Sequence, residues 1–178
     1  MHGGHNQPNY SYNIKGKPIA VVHEFKDLGV LRSSKGFYVG QCDAVAAAAS
    51  RVSGAIRRLF QSKAPELLWP AFRSYVLPKL MYNSQAWNPS LIKEINKLER
   101  VQKRFTKSIR GLHDMPYEDR LKKLRTLSIQ KQRRYADMTF TYKAIHGVLN
   151  CPAEDLGLKL LQVPTRGGGT KLVQRRAN

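Results

Sequence analysis

At 178 residues, 42% of them hydrophobic, the chain can bury one modest core or two small ones, which excludes a wholly disordered polypeptide. Its 31 Lys and Arg against 12 Asp and Glu leave a net charge of +19. Self-repulsion on that scale makes a polyanion the expected partner, nucleic acid first, with ribosomal or chromatin binding fitting equally well on charge alone. Cys42 and Cys151 are too isolated to suggest a disulfide framework or a zinc site, no apolar run reaches the length of a membrane span, and the first residues have no signal-peptide core. A soluble intracellular chain, nuclear or cytoplasmic, is expected.

Residues 1–9 read as a loose tail. Tyr10–Ile14 and Ile19–Phe25 are β-prone and are joined by Lys15-Gly16-Lys17-Pro18, which is turn chemistry. A third apolar run, Leu28-Gly29-Val30-Leu31, completes a small antiparallel β unit over residues 10–36. From Gln41 the pattern becomes helical. Gln41–Gln61 places Val52, Ala55, Ile56, Leu59 and Phe60 at helical spacing, with Arg51, Arg57 and Arg58 off that face. Pro65 suits a helix start, and Glu66–Trp87 follows, with a kink or break predicted at Pro78.

The most distinctive segment is 90–111. Ser90 is an N-cap candidate and Gly111 a C′ candidate. At about 100° per residue, Leu91, Ile95, Leu98, Val101, Phe105 and Ile109 share one arc, and Lys93, Lys97, Arg100, Arg104 and Lys107 the opposite one. Residues 90–134 carry 14 basic and 5 acidic side chains. A charge run is usually a solvated face, but this local excess sits on a chain already basic elsewhere. Pro116–Arg125 reads as a short helix, and Ile129–Leu149 as a long one with Met138, Tyr142, Ile145 and Leu149 on its apolar face. Residues 151–178 read as a loosened basic segment around Thr165-Arg-Gly-Gly-Gly-Thr170. The fold class is therefore mostly α, a short N-terminal β-hairpin unit followed by five or six helices over residues 41–150.

Little in the chain suggests catalysis. His2 and His5 lack a third ligand, and His23, His113 and His146 have no clustered Cys, Asp or Glu. Gly167-Gly168-Gly169 lacks the Lys-Ser/Thr of a phosphate-binding loop. Tyr135-Ala136-Asp137-Met138 stops one Asp short of the paired carboxylates that hold two metal ions in reverse transcriptases, and it lies in a helical pattern. Asp137 is read as an ordinary helix residue. No cofactor or metal is expected.

Several blocks resemble a known family. Phe25-Lys-Asp-Leu-Gly-Val30, then Ala71-Phe-Arg-Ser-Tyr-Val-Leu-Pro-Lys-Leu-Met-Tyr-Asn-Ser-Gln-Ala-Trp-Asn-Pro89, then Ile95-Asn-Lys-Leu-Glu-Arg-Val-Gln-Lys-Arg-Phe105 look like consecutive parts of non-LTR retrotransposon polyproteins of the jockey and chicken-repeat types. Arg134…Asp137…Tyr142-Lys143-Ala-Ile145 and Thr165–Leu172 follow in the same order, so the likeness spans roughly residues 12–176.

The resemblance implies that Leu28, Gly29 and Val30 are primer-grip positions, and that the helices form a thumb-like bundle whose basic residues contact a template–primer backbone. It also implies that the palm with its catalytic Asp residues lies outside this sequence, which makes the chain a non-catalytic part of an RNA-directed DNA polymerase that pairs with palm and fingers. Gly40-Gln41-Cys42 departs from the pattern, standing where relatives often carry a His. Two other readings stay open: an inactive remnant of a mobile element, and an independent basic RNA- or DNA-binding protein. The latter needs aromatic side chains exposed beside the charge.

Overall fold

The structure, a computed structural model, describes residues 12–34, 38–150, 153–158 and Leu172. It is mostly helical, with two small antiparallel hairpins ahead of the helices, and divides into a unit of residues 1–133 and a second of 134–178.

The first hairpin pairs β1 (Asn13–Ile14) with β2 (Lys17–Pro18), and the second pairs β3 (Glu24–Asp27) with β4 (Val30–Ser33). Both close through two residues with positive φ, Lys15-Gly16 and Leu28-Gly29. Such primed turns match the right-handed twist of the strands they join. This corrects the sequence reading. Lys17-Pro18 is strand rather than turn, residues 19–22 belong to no strand, and Leu28-Gly29 is a turn rather than part of an apolar strand. In each case a glycine able to take positive φ as the second turn residue sets the register.

α1 (Val39–Leu59) begins and ends two residues before the predicted bounds and buries Cys42, Ala49, Ser53 and Ile56. Lys63 caps its end, donating from Nζ to the carbonyl oxygens of Arg57 and Phe60. α2 (Pro65–Ala71) runs through a widened π-helical turn, Phe72–Val76, into α3 (Leu77–Met81). Pro78 therefore does not break the rod. It has no N–H, and its ring crowds the carbonyl four residues back; the π turn just before it makes the room. The interruption comes later, where Asn83 adopts φ 48 ahead of α4 (Ser84–Trp87).

α5 (Ile92–Lys107) is the centre of the first unit. Leu98, Val101 and Phe105 are buried, joined by Ile109 and Leu112 beyond its end, and they meet Leu68, Trp69, Phe72, Val76, Leu80 and Trp87. The ring of Phe72 lies 5.3 Å from Trp69 and 4.7 Å from Phe105. Two expectations fail at the helix ends. Ser90 is not the cap: Leu91 remains extended (φ −76, ψ 129), receives no side-chain cap and is largely exposed. Gly111 lies beyond the C-cap Ser108, and its positive φ serves the following turn.

α6 (Tyr117–Lys123) and α7 (Ile129–Ile145) complete the helices. On α7, Met138 and Tyr142 are exposed instead of core, and Ile145 is half-buried. The expected basic segment at 165–170 lies outside the described residues. Among the described residues, no helix is long and apolar enough to cross a membrane.

Candidate nucleic-acid interface

α1 and α5 run side by side in the same direction. Near their starts, Lys97 Nζ lies 2.6 Å from Asp43 Oδ1, and past their ends the Arg110 N–H donates to the Lys63 carbonyl at 2.8 Å. Viewed along that direction, the buried arc of α1 falls to one side of Asp43, and that of α5 falls to the mirror side of Lys97. The solvent-facing arcs therefore flank a single seam. Eight residues past Asp43 and seven past Lys97, roughly 11 Å along, Arg51 comes level with Arg104. Arg57 and Arg58 lie at the far end, while Lys93 and Arg100 sit within a turn of the bridge and Lys107 closes α5.

Lys93, Arg100, Arg104, Lys107, Arg51, Arg57 and Arg58 are all exposed. Among the described residues none of these seven has an acid within ion-pair distance; the pairs formed are Arg32–Asp27, Lys97–Asp43, Lys97–Glu94, His113–Asp114 and Lys122–Asp119. Lys97 differs from these seven in being ion-paired. Its ammonium is held above the ordinary lysine range, first by the hydrogen bond to Asp43 and then by that to Glu94, 3.1 Å away. Glu94 lies within the apolar arc between Leu98 and Val101, its side chain 3% exposed, and Lys97 is its ion partner. Lys97 is a structural cation.

Two further cations turn inward. Arg120 donates from one terminal nitrogen to the Lys103 carbonyl (2.8 Å) and Thr106 Oγ1 (3.0 Å). Arg133 lies 4.0 Å from the Trp87 ring centroid and donates to Asn88 Oδ1 (3.0 Å) and the Leu80 carbonyl (2.6 Å). Sequence reasoning missed both, because every partner is distant along the chain.

Glu99 was missed as well. It accepts from the backbone N–H groups of Ile129 (3.2 Å) and Gln130 (3.1 Å) and from the hydroxyl of Tyr117. Burial and that carboxylate together push the Tyr117 phenol far above its ordinary range. A cleft of about 400 Å³ opens here, with Glu99, Glu118, Lys103, Lys122 and Lys131 in its walls. Its charges are of both signs, and the amides at the start of α7 already bond Glu99. The cleft is therefore not an anion site of the kind a free helix start would offer.

Leu28, Gly29 and Val30 occupy the tip of the second hairpin. Val30 is buried against the helices, whereas Leu28 is 82% exposed at φ 45. The hairpin is tied to α1 by the Leu31 N–H, which donates to Gln41 Oε1 at 2.8 Å. No protein-family model, curated protein or solved structure matches the chain.

Proposed function

We propose that the chain holds a nucleic-acid duplex through its phosphate backbone, as a thumb-like, non-catalytic part of an RNA-directed DNA polymerase of the non-LTR retrotransposon type. The observation that supports this reading is the seam between α1 and α5, with Lys93, Arg100, Arg104 and Lys107 on one side, Arg51, Arg57 and Arg58 on the other, and no acid among the described residues within ion-pair distance of any of them. Cations spaced along two parallel helices suit a regular polyanion. Backbone contacts give affinity without reading sequence, as a part that slides over its template requires. The catalytic step belongs to a palm outside this sequence, so the chain alone is expected to extend no primer on poly(rA)–oligo(dT) with Mg²⁺ or Mn²⁺.

A salt titration tests the reading. Each neutralised phosphate contributes a slope of about −0.9 in log K against log[salt] on B-form duplex. Changing Lys93, Arg100 and Arg104 together to Gln is expected to flatten the slope by roughly 2 to 3 on two unrelated RNA–DNA duplexes. An unchanged slope leaves the inactive remnant as the better account. A marked preference for one duplex favours an independent recognition protein instead.

A further inference from the structure

The long helix α7 carries a surface that the duplex-binding reading leaves unused. Tyr135 is 70% exposed, Met138 72% and Tyr142 61%. Single exposed apolar side chains are ordinary, but three large ones at i, i+3 and i+7 make a stripe. The stripe continues into His146, whose ring centroid lies 4.1 Å from that of Tyr142. At about 100° per residue, Arg134 falls to one side of the stripe and Lys143 to the other, both exposed, while Asp137 falls on the far face of the helix.

We infer that the outer face of α7, formed by Tyr135, Met138, Tyr142 and His146 between Arg134 and Lys143, is a stacking platform for single-stranded nucleic acid. The inference rests on the nucleic-acid reading above and names a second form of the ligand. Three observations select it. Both tyrosines offer a π-face that any base can stack on, with a polar tip that stays wet. The flanking cations match the phosphates on either side of a stacked base, which an apolar partner helix would leave unpaired. The +19 net charge disfavours a second copy of the chain on this face. A duplex hides the faces of its bases, so the stripe distinguishes single strands from duplex where the α1–α5 seam does not.

The test uses the full chain, a labelled oligo(U) RNA and an RNA–DNA duplex of equal length, followed by fluorescence anisotropy. Tyr135→Ala with Tyr142→Ala is expected to weaken oligo(U) binding about tenfold or more and to change duplex binding less than about twofold. The double Tyr→Phe variant keeps the rings and is expected to bind oligo(U) like the parent. A 5-iodouracil oligonucleotide photocrosslinked to the unmodified protein is expected to label the peptide holding Tyr135 or Tyr142, which keeps the test independent of how the variants fold. Equal loss on both probes, no loss on oligo(U), a Phe variant as weak as the Ala variant, or crosslinks confined to other peptides each overturn the proposal. So does a concentration-dependent dimer that the Ala variant abolishes. If the duplex salt slope still responds to the Lys93, Arg100 and Arg104 changes, only the stacking platform has failed.

Discussion

The hydroxyl of Tyr82 donates to the carbonyl oxygen of Leu28 at 2.9 Å, across 54 positions of sequence. The same ring lies 3.4 Å from where a Cβ on Gly29 would sit. One tyrosine just past α3 thus holds the turn of the second hairpin, in which Leu28 adopts a left-handed conformation that costs a side-chain-bearing residue about 1–2 kcal/mol. Strain of that sort persists where the surroundings over-determine it. Tyr82→Phe is expected to cost about 0.5–1.5 kcal/mol, concentrated in the hairpin. Amide exchange across β3 and β4 should speed up while the helices keep their protection. Leu28→Asn, which tolerates the turn, should slow it.

The shared face of α5 is core from Leu98 onward. Leu98 is 1% exposed, and Leu98→Asp would place an unpaired charge in the hydrophobic core, costing several kcal/mol and enough to unfold a marginal domain. Phe105→Ala, which removes the ring beside Phe72, should cost about 3–5 kcal/mol. Thermal melts followed by circular dichroism check both. Leu91→Asp, at the exposed start of the helix, should leave the melt nearly unchanged.

Lys97 and Arg100 should separate in two assays. Lys97→Met leaves Glu94 buried without its ion partner and should lower the melting temperature clearly, with little effect on the salt dependence of duplex binding. Arg100→Gln should do the reverse. If both changes move the salt slope alike and neither moves the melt, the seam is misassigned.

Alkaline pH should destabilise the chain through Cys42. Burial, then the negative charge of Glu94, pushes this thiol up to about 11. An unfolded cysteine ionises near 8.5, so between there and about 11 the folded state keeps a proton that the unfolded state has lost. Stability is therefore full below that window and falls as pH rises through it. Lys97, also shifted upward, loses its pairing in the same direction at higher pH. Denaturant melts at increasing pH should show the decline, and Cys42→Ala should make it shallower. In a Cys151→Ala background, a thiol reagent should label Cys42 only after denaturant is added.

Much of the helical fold is written in local pattern. The 3.6-residue spacing of Leu98, Val101 and Phe105 defined α5, and the starts of α1 and α7 fell within two residues of expectation, because each depends on neighbours a turn away. Features that depend on distant partners stayed hidden. Asp43 pairs with Lys97 from 54 positions away, and Arg133 is held by Leu80, Trp87 and Asn88. One signal was available: Glu94 falls within the apolar arc of its own helix, three residues from Lys97, where a carboxylate needs a cation. The exposed stripe of α7 was misread for a different reason. Aromatic side chains at helical spacing look the same on a buried face as on an open one.

The parallel course of α1 and α5 also has an electrostatic consequence. Antiparallel neighbours would cancel their peptide dipoles, whereas here the two add, and both negative ends gather near Lys63 and Arg110. Arg57 and Arg58 occupy the last turn of α1, and Arg104 and Lys107 that of α5. These four are partly engaged with their own helix ends, each such interaction typically worth about 0.3–1 kcal/mol at an exposed site. Lys93 and Arg100, nearer the positive ends, have no such internal claim. An approaching phosphate therefore meets unequal cations along one seam. Four of the seven cations are thus shared with the helix ends while Lys93, Arg100 and Arg51 are not, so the basic face is graded along its length.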